Sequence, residues 1–128
     1  MNPTNCKYTK DHEWARIEGK IAIIGISEFA SKQLGDVVFV DVPQVGTELV
    51  KGKTLGVVES VKTVSDIFAP LSGKVIERNA ALEGEPAKVN EDPFGSGWMI
   101  KIELSDPGEV SDLMDVKEYE EHCAHSEH

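Results

Sequence analysis

The residues best placed to do chemistry lie in one short string, Glu59-Ser60-Val61-Lys62-Thr63-Val64-Ser65-Asp66. Two apolar stretches flank it, so Lys62 is expected at the tip between two strands. An amine on such a tip is solvated and within reach of a modifying enzyme, and a rigid sheet would hold it in a defined place. No Asn-Gly or Asp-Gly marks a tight hairpin there. The local pattern alone reads more readily as an ordinary solvated lysine, with Glu59 and Asp66 as ordinary edge charges. Other candidates are thinner. His122, Cys123, His125 and His128 form a loose, irregularly spaced set of metal-type ligands. A cysteine nucleophile with a histidine partner lacks any oxyanion-stabilising motif, and Cys6 and Cys123 lie near opposite ends. Gly95-x-Gly97 follows Pro93 rather than a strand, so it is not a phosphate-binding loop.

The elements that must position Lys62 read mostly as short strands. Residues 21–26 are β-branched and end at Ser27, and residues 37–42 form a strand stopped by Pro43. Stretches 54–59, 67–69, 74–77 and 98–104 complete the main set, punctuated by Gly and Pro as in a sandwich or barrel. Two helical segments stand out. Ser27 can cap a helix over residues 28–34 that Gly35 ends. Asp115 followed by Glu118 resembles a capping box, with Leu113, Val116 and Tyr119 expected on one docking face. Fraying is expected after Glu121, which makes residues 122–128 a mobile tail. A faint repeat relates Gly35-Asp36-Val37-Val38 to Gly73-Lys74-Val75-Ile76, and Gly56-Val57-Val58-Glu59 to Gly97-Trp98-Met99-Ile100. Two copies suit a duplicated half-sandwich better than a solenoid.

Length and composition set the outer limits. A chain of 128 residues is one domain's worth, large enough for a core without disulfides. The two cysteines read as free thiols. No run approaches a membrane span, and residues 1–10 carry no secretory signal. The net charge of −10 argues against nucleic acid and anionic membranes as partners. That charge is uneven: residues 103–128 hold nine acidic residues against one basic, leaving the rest close to neutral at −2. An acidic segment of this kind reads as a solvated face, or as a surface that steers basic partners.

Taken with Ala69-Pro70, the Lys62 string resembles the lipoyl-lysine site of glycine cleavage H proteins. The similarity continues through Tyr8-Thr9-Lys10-Asp11-His12-Glu13-Trp14, Gly35-Asp36-Val37-Val38-Phe39-Val40 and Val89-Asn90-Glu91-Asp92-Pro93. It ends with Gly97-Trp98-Met99-Ile100-Lys101-Ile102 and Lys117-Glu118-Tyr119. Biotin carriers share the shape, but their lysine normally sits between methionines, and here its neighbours are Val61 and Thr63. Thr63-Val64 departs mildly from the small residues common there in the family.

The resemblance implies a mostly β fold: one domain over residues 1–128, a lipoyl/biotinyl-type sandwich (barrel-sandwich hybrid) with a short helix near 27–35 and a C-terminal helix. It implies lipoic acid in amide linkage on Lys62, set among Glu59, Ser60, Val61 and Asp66. It implies a non-catalytic carrier that takes an aminomethyl group from a pyridoxal-phosphate glycine decarboxylase and yields it to a folate-dependent aminomethyltransferase. A dihydrolipoyl dehydrogenase reoxidises the arm, and a lipoate ligase or octanoyl transferase attaches it. A tethered arm contributes effective concentration at several sites. A cleft would shelter the loaded arm, with Asp11, Glu13 and Asp66 as candidate partners for its cationic amine. His12 and Trp14 read as structural. The expected compartment is the cytoplasm, or the mitochondrial matrix for a mature organellar chain. Two other readings stand beside this one: an H-protein-like relay passing lipoyl groups to 2-oxoacid dehydrogenases, and a small metal-binding protein using the histidine-rich tail.

Overall fold

The computed structural model describes residues 3–126. The chain runs β1 (Lys7–Tyr8), β2 (Glu13–Glu18), β3 (Ile21–Ile26), α1 (Glu28–Leu34), β4 (Val37–Asp41) and β5 (Glu48–Leu49). It continues with β6 (Thr54–Ser60), β7 (Val64–Phe68), β8 (Gly73–Arg78), α2 (Ala81–Gly84), α3 (Lys88–Glu91) and β9 (Ile100–Leu104). A 3-10 segment (Pro107–Asp112) leads to α4 (Val116–Ser126). All strand pairs are antiparallel. They make a six-stranded sheet in the order β1-β2-β3-β9-β8-β5 and a three-stranded sheet β4-β6-β7. The fold is therefore mostly β, a two-sheet sandwich of the lipoyl-domain kind, as the sequence led us to expect.

The apolar alternation of the strands fills the space between the sheets. Ile24, Val58, Ile67, Leu71, Val75, Ile100 and Ile102 belong to one core cluster that is almost wholly buried. Each such side chain contributes about 1.5–3 kcal/mol relative to exposure. A second cluster gathers Cys6, Tyr8, Trp14, Ile23 and Tyr119. It ties β1, β2 and β3 to α4. Within it the Trp14 indole lies across Gly25, its cross-strand partner, where a Cβ would meet the ring at 2.8 Å. Trp14 Nε1–H also donates to the Ile26 and Pro93 carbonyls, each at 3.0 Å. Trp14 is thus a packing residue, as its place in the sequence suggested.

The helix ends follow their caps. Ser27 Oγ accepts from Ala30 N–H at the start of α1, and Gly35, at φ 80°, ends it. At α4, Glu118 N–H donates to Asp115 Oδ1 at 2.8 Å and Asp115 N–H to Glu118 Oε1 at 3.1 Å, a reciprocal capping box. Two details differ from expectation. Leu113 precedes α4 and packs on the main core, whereas Val116 and Tyr119 belong to the second cluster. The helix does not fray at Glu121 but runs to Ser126. His122 Nε2 sits 2.8 Å from the Lys10 carbonyl, and Cys123 packs against the second cluster, contacts that draw the extra turn onto the body. Residues 127–128 lie outside the described region.

The two copies of the faint repeat each form their own antiparallel pair. Strands β4 and β6 pair in the small sheet, β8 and β9 in the large one. The assigned strand of the last copy starts at Ile100, but Met99 already bonds both neighbours, with its N–H to Ile24 and its carbonyl from Asn79.

Candidate functional site

Lys62 stands in the turn between β6 and β7, and the turn is built by Ser60. Ser60 N–H donates to the Thr63 carbonyl at 2.8 Å, and the nearly buried Ser60 Oγ accepts from both Lys62 N–H and Thr63 N–H at 3.1 Å. One hydroxyl thereby replaces the turn dipeptide that the sequence lacks. Val61 N–H reaches across to the Asp36 carbonyl at 3.0 Å, pinning the turn to the start of β4. None of these bonds uses the lysine side chain, which is exposed.

The stem of Lys62 passes over Gly35, where a Cβ would approach its Cε to 3.2 Å. Gly35 therefore meets two demands, a left-handed backbone at the end of α1 and a surface low enough for the lysine to cross. Asn90 holds this junction. Its side-chain N–H groups donate to the Ser31 and Gly35 carbonyls at 3.3 and 2.8 Å, and its Oδ1 accepts from Val37 N–H at 2.9 Å. A single side chain on α3 thus joins the end of α1 to the start of β4. Asn90→Ala is expected to lower stability by about 2–3 kcal/mol, since three backbone groups lose a partner. A urea titration of the two proteins, read as a fall in midpoint at constant slope, measures it.

From Thr63 a cavity of about 270 Å³ opens along β7. One wall is α1, through Ala30, Gln33 and Leu34; another is the turn carrying Asp11, His12 and Glu13; the third is β7 up to Ile67. Because residues 60 and 63 form the bonded pair at the tip, the backbone groups of Val64 and Asp66 point away from β6 and toward this cavity. Strand β7 is the edge of its sheet, and Phe68 N–H on that edge donates to Glu13 Oε2 at 3.3 Å.

Glu13 lies at the far end. It is only 2% exposed, and Thr9 Oγ1 donates to its Oε1 at 2.6 Å. Burial pushes its carboxyl up from 4.5 to about 7, against the lowering effect of the Thr9 and Phe68 hydrogen bonds. The carboxyl therefore changes charge near neutrality and suits a cation arriving from the cavity. Asp11 and Asp66 also line the cavity but are exposed. Asp66 alternates with buried Ile67, which puts its side chain on the outer face of the small sheet.

The sequence expectations meet this geometry residue by residue. The structure brings Asp66, Asp11 and Glu13 around one cleft, and the stem of Lys62 crosses Gly35, the chain neighbour of the lining residue Leu34. Glu13 is not a surface charge. Glu59 is not an edge charge either: it sits on the central strand of the small sheet, level with Phe39 and Val64. Val61 is 67% exposed beside the lysine. Gly35, Gln33 and Asn90 went unread as parts of the site, because they come together only through packing. His12 is held structurally, its Nδ1 2.7 Å from the Tyr119 hydroxyl. Its backbone is left-handed at φ 72°, a conformation that costs a residue with a Cβ about 1–2 kcal/mol. The metal-type cluster does not assemble among the described residues: no three His, Cys, Asp or Glu side chains converge. The side chain of His125 and the whole of His128 lie outside them, and His122 Nε2 is 2.8 Å from the Lys10 carbonyl.

Comparison with known proteins decides the family. The model of the glycine cleavage H-protein family matches residues 6–126. The chain belongs to the glycine cleavage H-protein family. It is 55% identical over 118 residues to the glycine cleavage system H protein of Symbiobacterium thermophilum, covering 92% of each chain. It is 53% identical to that of Thermotoga maritima, over 92% of this chain and 95% of the relative. The crystal structure of an H protein from Mycobacterium marinum superposes with a TM-score of 0.89 at 38% identity, over 96% of this chain and 99% of the other. An H protein is the carrier component of the glycine cleavage system, and it works with the other components of that system. These matches do not favour the lipoyl-relay or metal-binding readings. No helix among the described residues is long and apolar enough to cross a membrane.

Proposed function

We propose that this chain carries lipoic acid in amide linkage on Lys62 and shuttles an aminomethyl group and reducing equivalents in glycine cleavage. The observation that carries this reading is an exposed lysine whose stem crosses Gly35 beside a cleft that starts at Thr63 and Leu34 and ends at a buried carboxyl. The residues present fit such a group. Ile26, Leu34, Val58 and Ile67 offer an apolar lining, and residues 63–67 span about 13 Å at the strand rise, a length that a lysine extended by an acyl chain can follow. When bound, the dithiolane supplies a reducible disulfide and a thiol to which the cargo attaches.

The chain's own residues do the rest. Ser60 fixes the turn, so the lysine amine leaves the sheet in a constant direction. Gly35 lets the stem lie down, and α1 and β7 exclude water from its sides. Glu13 and the edge carbonyls of Val64 and Asp66 meet a cationic amine at the end of the arm, with Asp11 at the rim. No side chain here acts as a catalytic group. The partners that suit this role are a pyridoxal-phosphate glycine decarboxylase, a folate-dependent aminomethyltransferase, a dihydrolipoyl dehydrogenase and a lipoate ligase or octanoyl transferase. The compartment is the cytoplasm, or the mitochondrial matrix for an organellar chain, and residues 1–128 form one domain.

Incubation with a lipoate ligase, lipoate and ATP, followed by intact mass and peptide mapping, tests the attachment. A single lipoyl amide on the peptide containing Lys62 is expected. The group on Lys53 or Lys74 instead, or no gain in mass, overturns the proposal.

A further inference from the structure

One hydroxyl touches both walls of the cleft. The Tyr119 hydroxyl, on α4, lies 2.7 Å from His12 Nδ1 and 2.6 Å from Ser27 Oγ. His12 stands between Asp11 and Glu13 on one wall. Ser27 is the N-cap of α1, which forms the facing wall. Tyr119 and Ser27 are fully buried, and the tyrosine ring is stacked on Tyr8 at 4.4 Å, so the hydroxyl has a fixed position. The two walls are also joined directly, by Ser27 N–H donating to the His12 carbonyl at 2.8 Å. His12 holds a left-handed backbone that a residue with a Cβ adopts only when its surroundings impose it. Those surroundings are the bonds of the turn itself, His12 N–H to the Thr9 carbonyl at 3.1 Å and Thr9 N–H to the Glu13 carbonyl at 2.9 Å, together with Phe29, stacked on the imidazole at 4.4 Å, and the Tyr119 hydroxyl.

We propose that Tyr119 is a positioning residue of the cargo cleft: through its hydroxyl the C-terminal helix holds the His12 turn against α1 and so keeps the Glu13 carboxyl on the edge of β7. The inference rests on the reading of this cleft as the place where the loaded arm is sheltered. Without the hydroxyl, Ser27 keeps its bond from Ala30, but His12 loses the partner on its imidazole. The turn then relaxes from its left-handed conformation, and the carboxyl at its end moves with it. The acidic C-terminal segment acquires a role beyond solubility, since the helix it contains braces the site from behind.

Amide hydrogen exchange of the unmodified full chain tests this without any activity. In Tyr119→Phe, the Ser27 and Phe68 amides, which report the His12 turn and the Glu13 carboxyl, should exchange about three- to tenfold faster. Amides of the β8–β9 pair should be unchanged. The aminomethyl-loaded variant should also release formaldehyde faster by a similar factor, while Ile102→Val, weakened elsewhere in the core, should release it at the wild-type rate. An equal rise in exchange at β8–β9, or a Phe68 amide that keeps its protection, overturns the inference. Slow release in Tyr119→Phe beside fast release in Glu13→Gln overturns this inference alone. Slow release in both overturns the reading of the cleft and this inference with it. Should Tyr119→Phe fail to fold, His12→Asn keeps a side chain that tolerates the left-handed backbone but is too short to reach the hydroxyl. The same shifts are expected of it, and their absence counts equally against the proposal.

Discussion

Lys62→Arg leaves the protein folded and stops glycine cleavage when the system is reconstituted from purified components. Every hydrogen bond that shapes the turn comes from Ser60, Thr63, Val61 and the backbone of residue 62, and none from the lysine side chain. Arginine keeps the positive charge and the long apolar stem, so stability should change by no more than about 0.5 kcal/mol, the usual range for an exposed position. The guanidinium cannot form the lipoyl amide, so transfer should fall to background rather than by a modest factor. Glycine-dependent NADH formation measures it, with thermal unfolding as the control for folding. Appreciable turnover in the variant would place the attachment on another lysine.

Glu13→Gln is expected to raise the rate of cargo loss from the loaded carrier by about one to two orders of magnitude while leaving lipoylation of Lys62 unchanged. Glutamine preserves shape and hydrogen bonding to Thr9 or Phe68 but cannot become anionic. A buried, charge-assisted contact contributes about 1–3 kcal/mol, and each 1.4 kcal/mol is tenfold in the docked fraction. The effect has a pH signature. Burial raises the Glu13 carboxyl from 4.5 to about 7, so the ion that holds a cationic amine develops as pH rises through 7. Cargo loss from the wild type should therefore slow across that range, and Glu13→Gln should flatten the profile. Folding carries the opposite sign. Between about pH 4.5 and 7 the native state keeps a proton that the unfolded chain has released, so stability declines as pH rises through that window. Glu13→Gln should remove that decline, which thermal melts at a series of pH values would record. Asp66→Ala should act more weakly, by a few-fold, because its side chain is solvent-screened on the outer face. Formaldehyde release at equal loading separates the two variants. Rates equal to wild type in both would show that neither acid holds the cargo.

Much of the fold was legible because its signals are local. The β-branched runs before Ser27 and Pro43 became strands β3 and β4, and the cap pair Ser27 and Gly35 bounded α1 at residues 28–34. The Asp115–Glu118 capping box started α4 where the pattern placed it. Misreadings arose where non-local contacts overrode local pattern. The two-residue strands β1 and β5 carry too few residues for any periodicity and exist because a neighbouring strand pairs with them. The last turn of α4 looked free because its apolar spacing ends at Tyr119. It is held instead by His122 on a backbone carbonyl over a hundred residues away in sequence and by the packing of Cys123.

The sequence by itself determined the family and the place of Lys62 in a turn between two strands. Several motifs in order along the chain specify a carrier of this kind, and a lysine between two strand-forming runs is confined to their turn whatever surrounds it. The tertiary structure decided which charges could matter. Glu13 and Asp66 are both acids within strands, and nothing in their neighbours distinguishes them. Only the closing of α1, β2 and β7 around one space buries the first and leaves the second in water. The same closing brings Gly35 beneath Lys62, Asn90 between α1 and β4, and the Tyr119 hydroxyl onto His12 and Ser27. Desolvation depends on every atom within several ångströms, and those atoms come from segments far apart in the chain. A residue's type can therefore be read in order, but its ionisation and its partners arise from the packing.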